Sequence, residues 1–114
     1  GASFIWFALT AVVAAPILEE LLFRGLMQNM LRGAFRVSFI GRRSLIGADV
    51  VALVITSALF ALAHGTLTGF PPLFITGLLL GEVYRRTNNL WAPMAMHALN
   101  NAVAVALLYV SIST

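Results

Sequence analysis

The stretch ASFIWFALTAVVAAPILEELLFRG, residues 2–25, decides the fold class. It carries no charge before Glu19, and it is longer than the ~20 apolar residues that cross a bilayer. Glu19, Glu20 and Arg24 then interrupt the apolar run. Ionisable groups are costly inside a membrane and indicate a functional site by default. The stretch therefore predicts a membrane helix whose polar group needs partners from elsewhere in the chain.

The composition of the whole chain indicates the same environment. Of its 114 residues, 61% are hydrophobic and only 10% are charged, whereas soluble domains carry about 25% charged residues. The mean hydropathy is +0.96. There is no cysteine, so neither a disulfide nor a thiolate nucleophile or metal ligand is available. We therefore expect an integral, multi-pass protein embedded in the lipid bilayer.

Four apolar spans can be placed between polar linkers. Local signals mark their ends and interruptions: Pro16 inside the first, Gly65 after the second, and Asn89 as an N-cap before the fourth. The predicted fold is all-α, a polytopic helical bundle of about four transmembrane helices in one domain, 1–114. Because the chain starts with Gly rather than Met, we expect it to be a piece of a longer protein. The four spans are approximately 3–31, 46–64, 72–86 and 90–112.

The net charge of +3 comes from arginines that cluster between spans. A pI of 10.7 is compatible with nucleic-acid binding, but clustered loop arginines between apolar spans are usually orientation signals. Both clusters follow odd-numbered spans, so they lie on one side, which we predict to be cytoplasmic, with both termini on the opposite side. We expect no nucleic-acid partner. The clusters are Arg32, Arg36, Arg42 and Arg43, then Arg85 and Arg86.

The polar residues inside the spans come in helical pairs. Residues i and i+4 share a helix face, so Glu20 stacks on Arg24 and each can neutralise the other. Glu19 has Phe23 at its i+4 position and no cation within its own helix. We therefore expect Glu19 to be satisfied by another helix, by water or by a metal.

Two histidines are the candidate partners of Glu19. His64 ends the second span, four residues after Phe60, and His97 shares a face of the fourth with Asn101. Each feature has an ordinary structural explanation. A lone histidine in a bundle is often hydrogen-bonded structure, asparagine commonly joins helices, and a Glu–Arg pair can be a buried ion pair only.

Glutamate and histidine side chains that face each other could activate a water molecule for hydrolysis. Glu19 is the candidate base, and His64 could orient the same water and shuttle its proton. His97 and Asn101 are donors of the type that form an oxyanion hole. The zinc motif H-E-x-x-H and the serine motif G-x-S-x-G are both absent from the sequence.

In order, EELLFR, FALAH and HALNN resemble the three motifs of the CAAX protease and bacteriocin-processing (Abi) family of intramembrane proteases, which includes type II CAAX prenyl endopeptidases. The resemblance covers residues 19 to 101 and implies an intramembrane endopeptidase acting on a peptide or protein. Its substrate would be a prenylated CAAX-type protein, a leader peptide or another membrane-associated protein. The implied site residues are Glu19, His64, His97 and Asn101 as catalytic, with Glu20, Arg24 and Phe60 supporting them.

The cofactor is either none or zinc. The family is also described as metalloproteases, and two histidines with a carboxylate form a recognised catalytic zinc set. Here the ligands would be Glu19, His64 and His97. We favour glutamate-driven catalysis because asparagine is a natural oxyanion donor and an unusual zinc ligand.

Two non-enzymatic functions are the alternatives. The first is a membrane scaffold or immunity-type protein with the family fold, which would predict loss of motif residues, and none is lost. The second is an ion carrier, since carboxylates and histidines form relays in transporters. A carrier would favour repeated halves, and no duplication is apparent.

If all four spans begin and end at the same membrane depths, the candidate site residues do not lie at one level. At about 1.5 Å per residue, Glu19 lies roughly 20 Å from the basic end of its span and His97 only about 10 Å from its own. Tilts, a kink at Pro16 or shifted span ends must bring these residues level.

Overall fold

The computed structural model describes residues 1–38 and 45–114, and these residues form four long helices. Helix α1 covers 2–38, and three single α-helices follow it. The prediction of an all-α bundle is confirmed, and every predicted span boundary except the end of the first span lies within two residues of the corresponding helix end. The three later helices are α2, Leu45–Ala63; α3, Phe70–Thr87; and α4, Trp91–Ser113.

Three helices in the described part of the chain are long and apolar enough to cross a membrane: Ala2–Val37, Ile46–Ala63 and Trp91–Ser113. Helix α3 is the fourth member of the bundle. Its 18 residues include the charged Glu82, Arg85 and Arg86 near the C-terminal end. Glu82 accepts hydrogen bonds from both arginines, at 2.7 Å from Arg85 Nε and 2.8 Å from Arg86 Nε.

Helix α1 continues beyond its predicted end. The first span was expected to stop near residue 31 and give way to an arginine-rich loop, but the helix runs on to Ser38. An ion pair explains the extension, since Arg36 donates to both carboxylate oxygens of Asp49 in α2, each at 2.9 Å. Arg42 and Arg43 lie outside the described residues, and the side of the membrane that the arginines face stays a prediction.

Helix α1 changes its hydrogen-bond register on both sides of Pro16 and the glutamates. Thr10–Ala14 and Leu21–Gln28 are π-helical, and Ala15–Glu20 between them is α-helical. The Ala15 N–H bonds to Thr10 O, five residues back. Such π turns are rare and are frequently found at functional sites. The predicted interruption at Pro16 thus takes the form of a widened turn just before the proline.

The helices are staggered, which resolves the conflict of depths. Helix α2 packs antiparallel along the C-terminal half of α1, from the Arg36–Asp49 pair to the contact of His64 with Glu19. Helix α4 instead packs along the N-terminal half. It begins where Leu90 meets Gly25, and near its end the Tyr109 ring lies 5.3 Å from that of Phe4. The two sets of contacts overlap at the level of Glu19 to Gly25, in the middle of a molecule 59 Å long.

Two glycines let α3 approach its neighbours closely. A Cβ on Gly77 would lie 3.1 Å from Ser57 Cα, and one on Gly81 would overlap Leu53 Cδ1. The small-residue spacing of GLLLG, residues 77–81, is therefore a packing feature. Beside this contact lies a core of Phe23, Phe60 and Leu80.

Glycine, proline and asparagine mark the linkers, although Leu90 rather than the predicted Asn89 is the N-cap residue of α4. Gly65, after α2, has a φ of +80°, in the left-handed region that favours glycine. Pro71 and Pro72 occupy the first turn of α3. Asn89 Oδ1 accepts a hydrogen bond of 2.9 Å from the Trp91 N–H at the start of α4.

Candidate active site

His97 lies between the two glutamates of α1. Its Nδ1 is 2.9 Å from Glu20 Oε2, and its Nε2 is 3.2 Å from Glu19 Oε2. The side chain is almost fully buried. Adjacent helical residues point about 100° apart, and here that divergence lets neighbouring carboxylates contact opposite edges of one imidazole.

His64 approaches Glu19 from the end of α2. Its Nδ1 lies 2.7 Å from the Phe60 carbonyl oxygen. Because a carbonyl only accepts, Nδ1 carries a proton, and in the neutral ring Nε2 then has the lone pair. That Nε2 is 3.8 Å from Glu19 Oε1. Glu19 and His64 are each about 30% exposed, at 30% and 31% of the side chain, so this side of the site is accessible.

Glu20 and Arg24 are fully buried behind His97. Arg24 Nη1 lies 3.4 Å from Glu20 Oε2, and neither side chain has exposed surface. Arg24 Nη2 also donates to the Gly77 carbonyl at 2.8 Å, and its guanidinium carbon lies 4.9 Å from the centre of the Phe60 ring. Arg24 thus joins α1, α2 and α3 while compensating the charge that contacts His97.

Asn101 lies one turn beyond His97 and faces α1. Its Nδ2 donates to the Ala11 carbonyl at 2.7 Å, whereas the neighbouring Asn100 is exposed. The structure thus brings Glu19, His64 and His97 into direct contact, and it places the Asn101 amide beside the π turn of α1, two turns before Glu19.

A buried polar contact that the sequence analysis missed lies one turn beyond Arg24. Gln28 is 1% exposed, and its Nε2 donates to the Gly81 carbonyl at 3.2 Å. Arg24 and Gln28 are four residues apart, as are Gly77 and Gly81, so two side chains of α1 bond two carbonyls of α3. The available signal was a glutamine at the i+4 position of a buried arginine.

Among the described residues, no group of three or more His, Asp or Glu side chains is arranged to hold a metal ion. The donor chemistry nevertheless fits zinc. In both imidazoles Nδ1 contacts an oxygen acceptor, as the non-ligating nitrogen of a metal-binding histidine usually does. The other nitrogen, Nε2, faces Glu19 in both residues. In addition, Glu19 Oε2 is buried and has no well-aligned hydrogen-bond donor in the described chain, although His97 Nε2 lies 3.2 Å away. The ligands would be Glu19, His64 Nε2 and His97 Nε2.

Comparison with known proteins identifies a family. A model of the Rce1-like type II CAAX prenyl endopeptidases matches residues 1–103. The chain is 32% identical over 93 residues to the membrane-embedded CAAX protease MroQ of Staphylococcus aureus (strain USA300), covering 82% of this chain but 35% of that protein. No solved structure matches. One residue of each motif, Glu19, His64 and His97, lies at the same place in a helical membrane bundle, and the family model covers nearly the whole chain. The chain therefore belongs to the Rce1-like type II CAAX prenyl endopeptidase family.

Proposed function

We propose that the protein is an intramembrane endopeptidase in which Glu19 and His64 activate a water. One observation carries the proposal: the Glu19 carboxylate lies between two imidazole Nε2 atoms, 3.2 Å from His97 and 3.8 Å from His64. Membership of the protease family supports the same activity. The chain spans about a third, 35%, of the length of the relative that it matches, so activity and substrate belong to this proposal.

Glu19 and His64 hold the attacking water. The 3.8 Å between Glu19 Oε1 and His64 Nε2 is too long for a direct hydrogen bond, yet one water can contact both atoms. As the water oxygen bonds to the scissile carbonyl carbon, Glu19 takes a proton. When the tetrahedral intermediate collapses, the C–N bond breaks and that proton passes to the leaving amine. His64 orients the water through its unprotonated Nε2.

His97 and Asn101 stabilise the oxyanion. Carboxylates only accept, so the doubly protonated ring satisfies the contacts of His97 with both Glu20 and Glu19. Its Nε2–H faces the position of the water and is a donor for the developing negative charge. Asn101 uses one amide hydrogen on the Ala11 carbonyl, two turns of α1 before Glu19, and we propose that its second hydrogen serves the same oxyanion once the substrate is bound.

Zinc is the alternative partner of these side chains. Bound to Glu19, His64 and His97, it would lower the pKa of a water and polarise the scissile carbonyl. We prefer the metal-free assignment because Asn101 suits an oxyanion hole better than a zinc site.

The substrate is a peptide or protein with an apolar portion. An apolar groove of about 230 Å³ runs beside the site, between Val12 and Pro16 of α1 and Met94 and Ala98 of α4. Pro16 is three residues before Glu19, and Met94 and Ala98 flank His97. A prenyl group or an apolar side chain fits such a surface. We propose a prenylated CAAX-type substrate first, since the relative is named a CAAX protease.

Cleavage by the intact protein in detergent tests the proposal. The substrates are internally quenched peptides ending in a CAAX sequence, with and without a prenyl group, and unmodified leader-type peptides. We expect wild type to cleave at least one and Glu19→Gln to cleave none, because the amide fills the same space but takes no proton. A wild type inactive on every peptide would favour the scaffold function instead.

A further inference from the structure

A carbonyl of α1 has lost its helical donor. In the π-helical turn Thr10–Ala14, the Ala15 N–H bonds to Thr10 O, five residues back. In the same register, the donor for Ala11 O would be residue 16. That residue is proline, which has no N–H. A backbone carbonyl inside a membrane must find a donor within the protein.

Asn101 supplies this donor from α4. Its Nδ2 lies 2.7 Å from Ala11 O, so the orphaned carbonyl is bonded by a residue of the third motif. A carbonyl only accepts, and it therefore turns the amide so that NH₂, rather than Oδ1, faces α1. The second hydrogen of that NH₂ is the one assigned above to the oxyanion.

We propose that Pro16 is a positioning residue for Asn101. By leaving Ala11 O without a helical bond, it fixes the orientation of the Asn101 amide and the register of α4 against α1. The same register holds His97 between Glu19 and Glu20. With an N–H at residue 16, Ala11 O would be bonded within α1, and the Asn101 amide could turn its oxygen toward the site. That oxygen would repel an oxyanion. The catalytic consequence rests on the proposed function. The hydrogen bond of Asn101 to Ala11 O, and its dependence on Pro16, do not.

A double-mutant cycle of thermal stability tests the link between Pro16 and Asn101 without any substrate. The Tm of the intact protein in detergent is measured for wild type, Pro16→Ala, Asn101→Ala and the double variant. Pro16 is fully buried, so its replacement also leaves a void, and the coupling between the two changes is the informative quantity. We expect Asn101→Ala to lower the Tm in wild type and to lower it less in Pro16→Ala, where the N–H gained at position 16 can bond Ala11 O. Equal losses in both backgrounds would overturn the proposal.

The control for this cycle is Pro71→Ala. Pro71 lies in the first turn of α3, where a missing N–H leaves no carbonyl without its bond. The change in Tm caused by Pro71→Ala should add to that caused by Asn101→Ala, without coupling between the two. Coupling of the same size with Pro71→Ala would also count against the proposal, because it would show a general response of the bundle.

Kinetics test the positioning role. In Pro16→Ala we expect kcat for the peptide that wild type cleaves to fall about 10- to 100-fold with KM unchanged, the scale of a small misplacement of a catalytic group. Pro71→Ala should retain wild-type kcat. An unchanged kcat in Pro16→Ala would overturn the positioning role even if the Tm values couple. If wild type cleaves no peptide, the proposed function fails, and the Tm cycle still decides whether Pro16 and Asn101 act together.

Discussion

His97 Nδ1 lies 2.9 Å from Glu20 Oε2, although the two residues are 77 positions apart in sequence. This contact fixes the ring so that Nε2 faces Glu19. Glu20 therefore acts on the reaction through His97, and Arg24 compensates the charge of Glu20 from behind.

The first prediction concerns this contact. Glu20→Gln should lower kcat by about 10- to 100-fold, as replacement of the outer partner of a functional histidine does. In a His97→Ala background the same change should cost little more, because the residue through which it acts is missing. Full additivity of the two losses in kcat would show that Glu20 acts independently of His97.

The second prediction concerns Arg24. Arg24→Ala should lower the free energy of unfolding by about 3–5 kcal/mol, because it leaves Glu20 buried without its charge partner, and activity should fall with it. Arg86→Ala is the matched control, since Arg86 is 73% exposed and surface pairs contribute about 0–1 kcal/mol. Chemical denaturation in detergent measures both. An Arg24→Ala protein as stable as wild type but inactive would place Arg24 in the chemistry itself.

The third prediction concerns the contact of α3 with its neighbours. Gly81→Ala should destabilise the protein by about 1–3 kcal/mol, the usual cost of overpacking, because the added Cβ overlaps Leu53 and lies 2.9 Å from Gln28 Oε1. Gly33→Ala is the control, since a Cβ there meets no described atom within 4 Å. It should stabilise α1 by about 0.5–1 kcal/mol. Equal effects of the two substitutions would contradict the packing described here.

The helices were predictable because their signals are local. A bilayer requires long apolar runs, and Gly65 and Asn89 act through their own backbone or that of a residue two positions away. The extension of α1 to Ser38 was not predictable in this way. It depends on Asp49, a residue of the next helix that pairs with Arg36.

The meeting of Glu19 with His64 and His97 was predictable, but the individual contacts of these side chains were not. The helical spacing and the family resemblance singled out Glu19, His64 and His97, which the structure brings together. Their depths could not be read from the spans, because the level of α4 is set by the meeting of Leu90 with Gly25. The partner of Asn101 is the backbone carbonyl of Ala11. A carbonyl that lacks its helical hydrogen bond cannot be identified from the sequence unless the hydrogen-bond register of the helix is known.

The central claim is that Glu19 and His64 activate water without a metal. Peptide cleavage measured beside zinc content in the same preparations of wild type, His64→Ala and His97→Ala tests it most directly. We predict full wild-type activity at well under one zinc per chain, and loss of activity in both variants with no change in metal content. Stoichiometric zinc in wild type, lost together with activity in both variants, would contradict the claim, because it would make these histidines ligands.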